Sequence, residues 1–280
     1  MPEFKTVLYE KIAEHVLRIT QNRPEVRNAQ NLQLTYDLND AFDAAAQDDD
    51  IKVIILAGAG PHFSAGHDLR AGPENISAFK TVGTWGSFGA KGQEGMMARE
   101  EEIYLGMCRR WRNIPKPTIA QVQGRVIAGG LMLAWVCDLI VCSEDAMFGD
   151  PVVGMGVCGV EYFAHPWEFG ARKAKELLFT SDWIDANEAH RLGMVNQVVP
   201  RDRLEAEVTE LAKKIATKPM MALKLTKEAV NQTLDAQGQW TAMQGVFSLH
   251  QLAHSHNTQV YGIPVYLDPG SAQAKAAGRK

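Results

Sequence analysis

From Thr6 to Thr20 apolar and polar residues alternate on either side of a polar break at Ala13-Glu14, the period-two pattern of two short antiparallel strands. Leu34, Leu38, Ala41, Phe42 and Ala45 then recur at helical spacing, and the acidic run Asp48 to Asp50 leads into Val53-Ile54-Ile55-Leu56, a short buried strand. The same order returns. A helix through Ile103, Met107, Cys108 and Trp111 ends at Pro115-Lys116-Pro117 and is followed by a strand over Thr118 to Val122; an apolar helix over Ala128 to Trp135 then precedes a strand over Asp138 to Cys142. Strands alternating with helices predict an α/β core. From Ala171 onward the pattern is mainly helical, with segments at Ala174 to Phe179, Ala186 to Leu192, Leu204 to Ile215 and Met221 to Leu234, and one strand-like stretch, Val195 to Val199. The expected division is a core over 1–200, a helical region over 201–268 and a disordered Ala-, Gly- and Lys-rich tail over 269–280. Residues 71–98 are rich in Gly and Ser without periodicity and predict a long mobile loop.

Composition narrows the function classes. A chain of 280 residues with 46% hydrophobic and 22% charged residues is an ordinary globular protein that can bury a sizeable core. Its net charge of −4 offers no general attraction to nucleic acid or anionic lipid, so neither is an expected partner. Cys108, Cys137, Cys142 and Cys158 have no CxxC spacing and read as reduced thiols in a cytoplasm. Met1 to Tyr9 is charged and alternating rather than an apolar leader, and no apolar run reaches the length of a membrane span.

Candidate chemistry concentrates in two segments. Phe63-Ser64-Ala65-Gly66-His67-Asp68-Leu69 follows the strand Val53 to Leu56, and its small residues Ala65 and Gly66 let a backbone N–H approach a ligand closely. Gly129-Gly130 opens an apolar helix whose first N–H groups lack intrahelical partners and lie at the positive end of the helix dipole. Two such donors facing one carbonyl form an oxyanion hole.

Other readings fail on local context. Gly58-Ala59-Gly60 follows a strand, but Pro61-His62-Phe63 supplies neither a third glycine nor an amphipathic helix, which excludes a dinucleotide fingerprint. Ser64 lacks the leading glycine of a nucleophile elbow. His250 and His254 stand at i, i+4, a metal-binding spacing, yet with no third ligand near in sequence they read as an exposed helix face, and no metal is expected. Asp68 reads as a brace for its own loop.

The chain resembles the crotonase superfamily, the enoyl-CoA hydratase and isomerase family, over most of Thr6 to Thr233. The resemblance is carried by Asn22-Arg23-Pro24-Glu25-Val26-Arg27-Asn28-Ala29, Ala65 to Leu69, Lys116-Pro117-Thr118-Ile119-Ala120, Gly129-Gly130 with Cys137-Asp138, and Ala189-His190-Arg191-Leu192-Gly193-Met194-Val195. It implies a spiral of repeated ββα units with a C-terminal helical trimerisation region, assembling as a homotrimer or as a hexamer of paired trimers. It implies an acyl-CoA thioester as substrate, coenzyme A entering as part of that substrate with no separate cofactor. The oxyanion donors would be the N–H groups of Ala65 and Gly129, and the substrate would lie along Ala65, Gly66, His67, Asp68 and Leu69 and against Gly129 and Gly130, with Arg27 a candidate for its phosphate.

One departure is chemical. Family hydratases hold and protonate a water with two glutamates; at the matching positions here stand Met132 and Val152, which would line the site but cannot move a proton. Glu161, shortly after Gly156, is the candidate replacement acid, against a plain helix-start carboxylate. Asp150 before Pro151 reads as a turn former, and His67 as a solvent-facing loop histidine. The expectation is therefore an enolate-stabilising enzyme with a nonstandard acid, or alternatively a noncatalytic acyl-CoA-binding or assembly subunit. The C-terminal residues His254 to Leu267 lack the acidic-Gly, Phe and basic pair with which family members reach a neighbour's coenzyme A, so contact between protomers through this tail is not expected.

Overall fold

The computed structural model describes residues 2–70 and 74–267. Strand β1 (Val7–Ala13) turns at Glu14-His15 into β2 (Val16–Gln21), and the two pair antiparallel as their alternation requires. Helix α1 (Leu32–Gln47) follows, started by the Asn31 side chain, which accepts the Leu34 N–H. It returns the chain to β3 (Val53–Gly58), parallel to β2. Strands β4 (Thr118–Val122), β6 (Leu139–Ser143) and β9 (Gln197–Val199) extend the same sheet in parallel, giving the order β1-β2-β3-β4-β6-β9. Every residue of β3 and β4 is buried, as expected of a sheet covered on both faces. Val53 and Ile55 meet Leu204, Val208 and Ala212 of α7 (Leu204–Ala216) on one side; Ile54 and Leu56 join Leu34, Leu38 and Phe42 of α1 in the larger core on the other.

A second, small sheet lies at the other side of that larger core: β5 (Arg125–Ile127), β7 (Met147–Gly149) and β8 (Trp183–Asp185). Three-residue strands carry too little alternation to be read from sequence, and this sheet was not among the expected elements. Between the sheets runs α4 (Gly129–Trp135), buried on all sides. Helices α5 (His165–Thr180) and α6 (Ala186–Leu192) complete the core at the expected places.

The stretch expected as a mobile loop over 71–98 is only partly one. Ala71, Gly72 and Pro73 lie outside the described residues, but Glu102 accepts hydrogen bonds from the N–H groups of Val82 and Gly83, both at 2.7 Å, and from the Tyr36 hydroxyl at 3.0 Å. Helix α2 (Gln93–Glu100) already begins inside the stretch and continues through a π turn (Glu101–Gly106) into α3 (Met107–Arg112). The tail expected to be disordered likewise lies outside the described residues.

Lys116, in the Pro-Lys-Pro break, is fully buried and donates to the carbonyls of Ala45 at 2.8 Å and Asp48 at 2.6 Å, tying the end of α1 to the start of β4. Lys116→Met keeps the apolar stem but takes the ammonium from both carbonyls, leaving that of Asp48 with the Ile51 N–H at 3.0 Å. The expected cost is on the order of 2–4 kcal/mol, read by urea unfolding; an unchanged midpoint would show that water replaces the ammonium without loss.

Helix α8 (Met220–Ala236) attaches to this body through polar bonds, while α9 (Gln239–Tyr261) also seats Met243 and Phe247 in the main core. Lys227 bonds Asp138 at 2.9 Å and the Lys116 carbonyl at 3.1 Å, while Arg112 bonds Asp235 at 3.0 Å and Gln239 at 2.9 Å. Lys227 is the one buried residue of α8, and Met221, Leu225 and Val230 are exposed on it. Among the described residues no helix is long and apolar enough to cross a membrane.

Candidate active site

The loop after β3 is held from several directions. The Asn28 side-chain amide donates to the carbonyls of Ala59 (2.9 Å) and His62 (3.0 Å), and the Phe63 N–H donates to Gln123 at 2.8 Å. Ser64 bridges to Val126 of the small sheet, and its hydroxyl donates to the Asn28 carbonyl at 2.9 Å, so Ser64 is a lock rather than a nucleophile. Asp68 braces the loop as expected, accepting from Arg23 at 3.0 Å and from the Arg70 N–H at 3.2 Å.

This bracing corrects the donor expected at Ala65. The Ala65 N–H already donates to the Arg27 carbonyl at 2.9 Å, and the Gly66 N–H points to the Ser64 hydroxyl at 3.3 Å. The following amide, His67, has no acceptor among the described residues, and neither does that of Gly129 at the start of α4. The two segments touch: a methyl group added at Gly66, where φ is +79°, would stand 2.5 Å from the Ile127 carbonyl oxygen and 3.0 Å from the Gly129 nitrogen. One added at Gly129 would meet the His67 ring at 2.5 Å, and one at Gly130 would meet the Ser64 carbonyl oxygen at 2.6 Å. Glycines are therefore required where loop and helix meet. Gln30 cements the junction by donating to the Gly129 carbonyl at 2.9 Å.

His67 does not face solvent. Its ring stacks on Tyr104, centroids 3.7 Å apart, and its Nε2 lies 3.7 Å from Oε2 of Glu161. Both of those atoms are buried and without a hydrogen-bond partner. Burial pushes the His67 imidazole down to about 4, so the ring is neutral at neutral pH. Burial, reinforced by the charge of Glu100, holds the Glu161 carboxyl well above the usual carboxylate range. Glu161 is 3% exposed and stands four residues ahead of His165, where α5 begins, outside the first turn in which a helix-start carboxylate sits.

The loop leading to Glu161 is set by Asp150. Its carboxylate meets Nε2 of His165 at 2.8 Å and accepts the N–H groups of Val152 at 3.4 Å and Val160 at 3.2 Å. Asp150 is thus the turn former anticipated, buried and fully engaged. Met132 and Val152 are buried in the main core and bring no ionisable group.

Behind Glu161 lies a group only half visible in the sequence. His250 and His254, expected on an exposed helix face, are 3% and 2% exposed because α9 turns that face inward. Their Nε2 atoms are 2.8 Å apart. Glu100 approaches them at 3.6 Å and 3.4 Å, and Glu161 Oε1 stands 3.6 Å from Nε2 of His250. Glu100 and Tyr104 were not singled out, since Arg99-Glu100-Glu101-Glu102 looks like a solvated charge run. The tail beyond α9 folds onto its own chain, the Tyr266 N–H donating to the Met155 carbonyl at 3.0 Å.

At the surface next to the loop, Arg27 and Arg125 are exposed, and Arg125 lies over the Trp183 ring at 4.7 Å. Burial, together with the charges of Arg27, Arg125 and Arg201, pushes the neighbouring His62 down. Leu69, at the far end of the loop, is also exposed.

Residues 11–275 match the family model for enoyl-CoA hydratase/isomerase. The Mycobacterium tuberculosis protein EchA13, whose name makes it a candidate enoyl-CoA hydratase, is 49% identical over 93% of this chain and 84% of its own. The crotonyl-CoA hydratase of Syntrophomonas wolfei is 34% identical over 82% of each chain. The crystal structure of a candidate enoyl-CoA hydratase from Mycobacterium smegmatis superimposes with a TM-score of 0.85 at 50% identity, covering 94% of this chain and 99% of that one. A two-sheet body with helices at its C-terminal end, two glycine-bounded amides at one junction and a match running through nearly the whole chain have one reading: this protein belongs to the enoyl-CoA hydratase/isomerase family.

Proposed function

We propose that the chain is an enzyme acting on an acyl-CoA thioester, whose carbonyl oxygen is held by the N–H groups of His67 and Gly129 while Glu161 takes a proton from the acyl chain to form the enolate or gives one back to it. The observation that carries this reading is the pair of unaccepted amides on touching segments, with a partnerless, buried carboxyl one imidazole ring away. Dipole and low local dielectric favour negative charge developing at the first turn of α4. In a double-bond shift the Glu161 carboxylate takes a proton from the α-carbon to form the dienolate, and the carboxylic acid so made returns that proton to the γ-carbon; a carboxyl raised by burial is a stronger base for the first step than an exposed one.

The thioester oxygen binds between His67 and Gly129, the acyl chain continues past Gly130 toward Met132 and Val152, and the coenzyme A moiety runs along Gly66 to Leu69. Exposed Arg27 and Arg125 supply the positive charge for its phosphates. Because Met132 and Val152 stand where family hydratases carry glutamates, hydration by two carboxylates is not the chemistry this site favours; isomerisation or another one-acid enolate reaction is. Purified protein given a panel of enoyl-CoA and 3-hydroxyacyl-CoA thioesters is expected to convert at least one of them. Binding of an unreactive acyl-CoA analogue with no conversion of any thioester would leave a binding subunit instead, and absence of both would remove the reading.

Self-association through α8 and α9 belongs to the same proposal. Met221, Leu225 and Val230 on α8 and Leu249, Leu252 and Val260 on α9 are apolar side chains left exposed even though α9 already seats Met243 and Phe247 in the core, a pattern that marks a protein contact. Light scattering is expected to give a mass of three chains or a multiple of three, and Leu225→Asp to lower it. A wild-type monomer would refute the assembly.

A further inference from the structure

We infer that Glu100, His250 and His254 form a binding site for a divalent transition-metal ion of the zinc class. Hydrogen bonding fixes how the two imidazoles present themselves. Nδ1 of His250 lies 2.7 Å from the Gly159 carbonyl oxygen, and Nδ1 of His254 lies 2.8 Å from that of Pro264. A carbonyl oxygen can only accept, so each ring carries its hydrogen on Nδ1. Each neutral ring therefore turns a lone pair outward from Nε2, and these two atoms face one another 2.8 Å apart. Two lone pairs at that separation repel unless something positive lies between or beside them.

The surroundings are built for more than a proton. Glu100 brings a carboxylate oxygen to 3.4 Å from Nε2 of His254 and 3.6 Å from Nε2 of His250, and one ligand atom from each of the three residues lies within 4.8 Å of the others. Glu161 Oε1 stands at 3.6 Å on the fourth side, and its other oxygen, buried, has no partner at all. The outer bonds also match a metal site. Each histidine is oriented by a backbone carbonyl on a different segment, and the Glu100 carboxylate is held by the Gln251 side-chain amide at 2.5 Å, the arrangement that raises ligand basicity and locks ring orientation around bound metals. Nitrogen ligands with one carboxylate select zinc-like ions over calcium or magnesium, which prefer all-oxygen sites. At metal–nitrogen distances of about 2.0–2.1 Å a tetrahedral angle needs the two Nε2 atoms about 3.3 Å apart, a parting of about half an ångström from their present spacing. Three protein ligands leave one tetrahedral position open. The ion would tie α2, α9 and the 156–160 loop together, and its ligands are independent of the amides that define the thioester reading.

The full chain, stripped with a chelator and titrated calorimetrically with Zn²⁺ alone, is expected to take up about one ion per chain, and Co²⁺ in its place to give the intense visible bands of a low-coordinate, imidazole-ligated site. Glu100→Gln, which keeps the shape of the side chain, is expected to weaken Zn²⁺ binding at least 10-fold. His254→Gln is expected to abolish it, with circular dichroism reporting whether that variant folds. Wild-type protein that takes up no Zn²⁺, shows no Co²⁺ bands and whose nitrogen NMR reports a proton shared between His250 and His254 overturns the site. Uptake that Glu100→Gln leaves unchanged in a folded protein overturns the ligand set. Thioester turnover is read separately, by the substrate panel.

Discussion

Glu161→Gln is expected to lower kcat on any thioester the protein converts by about 10²–10⁴, a rise of about 3–5 kcal/mol in the barrier. The substitution conserves shape and leaves the oxyanion donors alone, so KM should move far less than kcat. No neighbour can take over. Asp150 is committed to His165 and to the N–H groups of its own loop. Glu100 is engaged by Gln251 and the two histidines, which, against the opposing effect of burial, keep it below the usual carboxylate range, where it is a poor acid at neutral pH. Steady-state kinetics of the wild type and variant, with thermal unfolding to confirm an intact fold, measure the effect. A kcat equal to that of the wild type would remove Glu161 from the chemistry.

Gly129→Ala should cost about 10²–10³ in kcat, the scale of losing one oxyanion donor. The added methyl would sit 2.5 Å from Cδ2 and 2.6 Å from Nε2 of His67, closer than carbon atoms approach in any packed protein. Either the first turn of α4 shifts and carries the Gly129 amide away from the point where the thioester oxygen is to rest, or the ring leaves Tyr104 and its place beside Glu161. Because those bonds strengthen as charge develops, kcat should fall more than binding of an unreactive acyl-CoA analogue weakens. Parallel loss of both, or loss of neither, would argue that the amides do not act on the reacting carbonyl.

The large sheet and its flanking helices could be read from the chain because all its strands but β9 run five to seven residues, long enough for alternation or continuous burial to be recognised, and β9 lies inside the longer apolar stretch Val195 to Val199. β5, β7 and β8 could not, since three residues fit any pattern and their pairing depends on partners far away in sequence. The loop over Phe63 to Leu69 was found by composition, but composition cannot tell which of its amides is free. That is decided by Arg27, whose carbonyl engages Ala65 and leaves His67 as the available donor. His250 and His254 showed their helical spacing but not their direction, because the face a helix buries depends on what it packs against. Glu100 gave no sign at all; only the approach of α9 distinguishes it from the charged residues on either side.

The π turn between α2 and α3 carries a consequence for how this chain can vary in length. Successive residues of an α-helix are rotated by about 100°, and a π turn holds a residue that regular winding would omit. Deleting a single residue between 101 and 106 would close that wide turn and leave both flanks in phase, whereas deleting one between 107 and 110 finds no such slack: with Trp111 seated in the core, all that precedes would swing through more than a quarter of a circle. Glu100 would then leave the histidines. Past Gln93, insertions and deletions should therefore be confined to that one turn, and elsewhere the chain ceases to be a spacer and becomes a gauge.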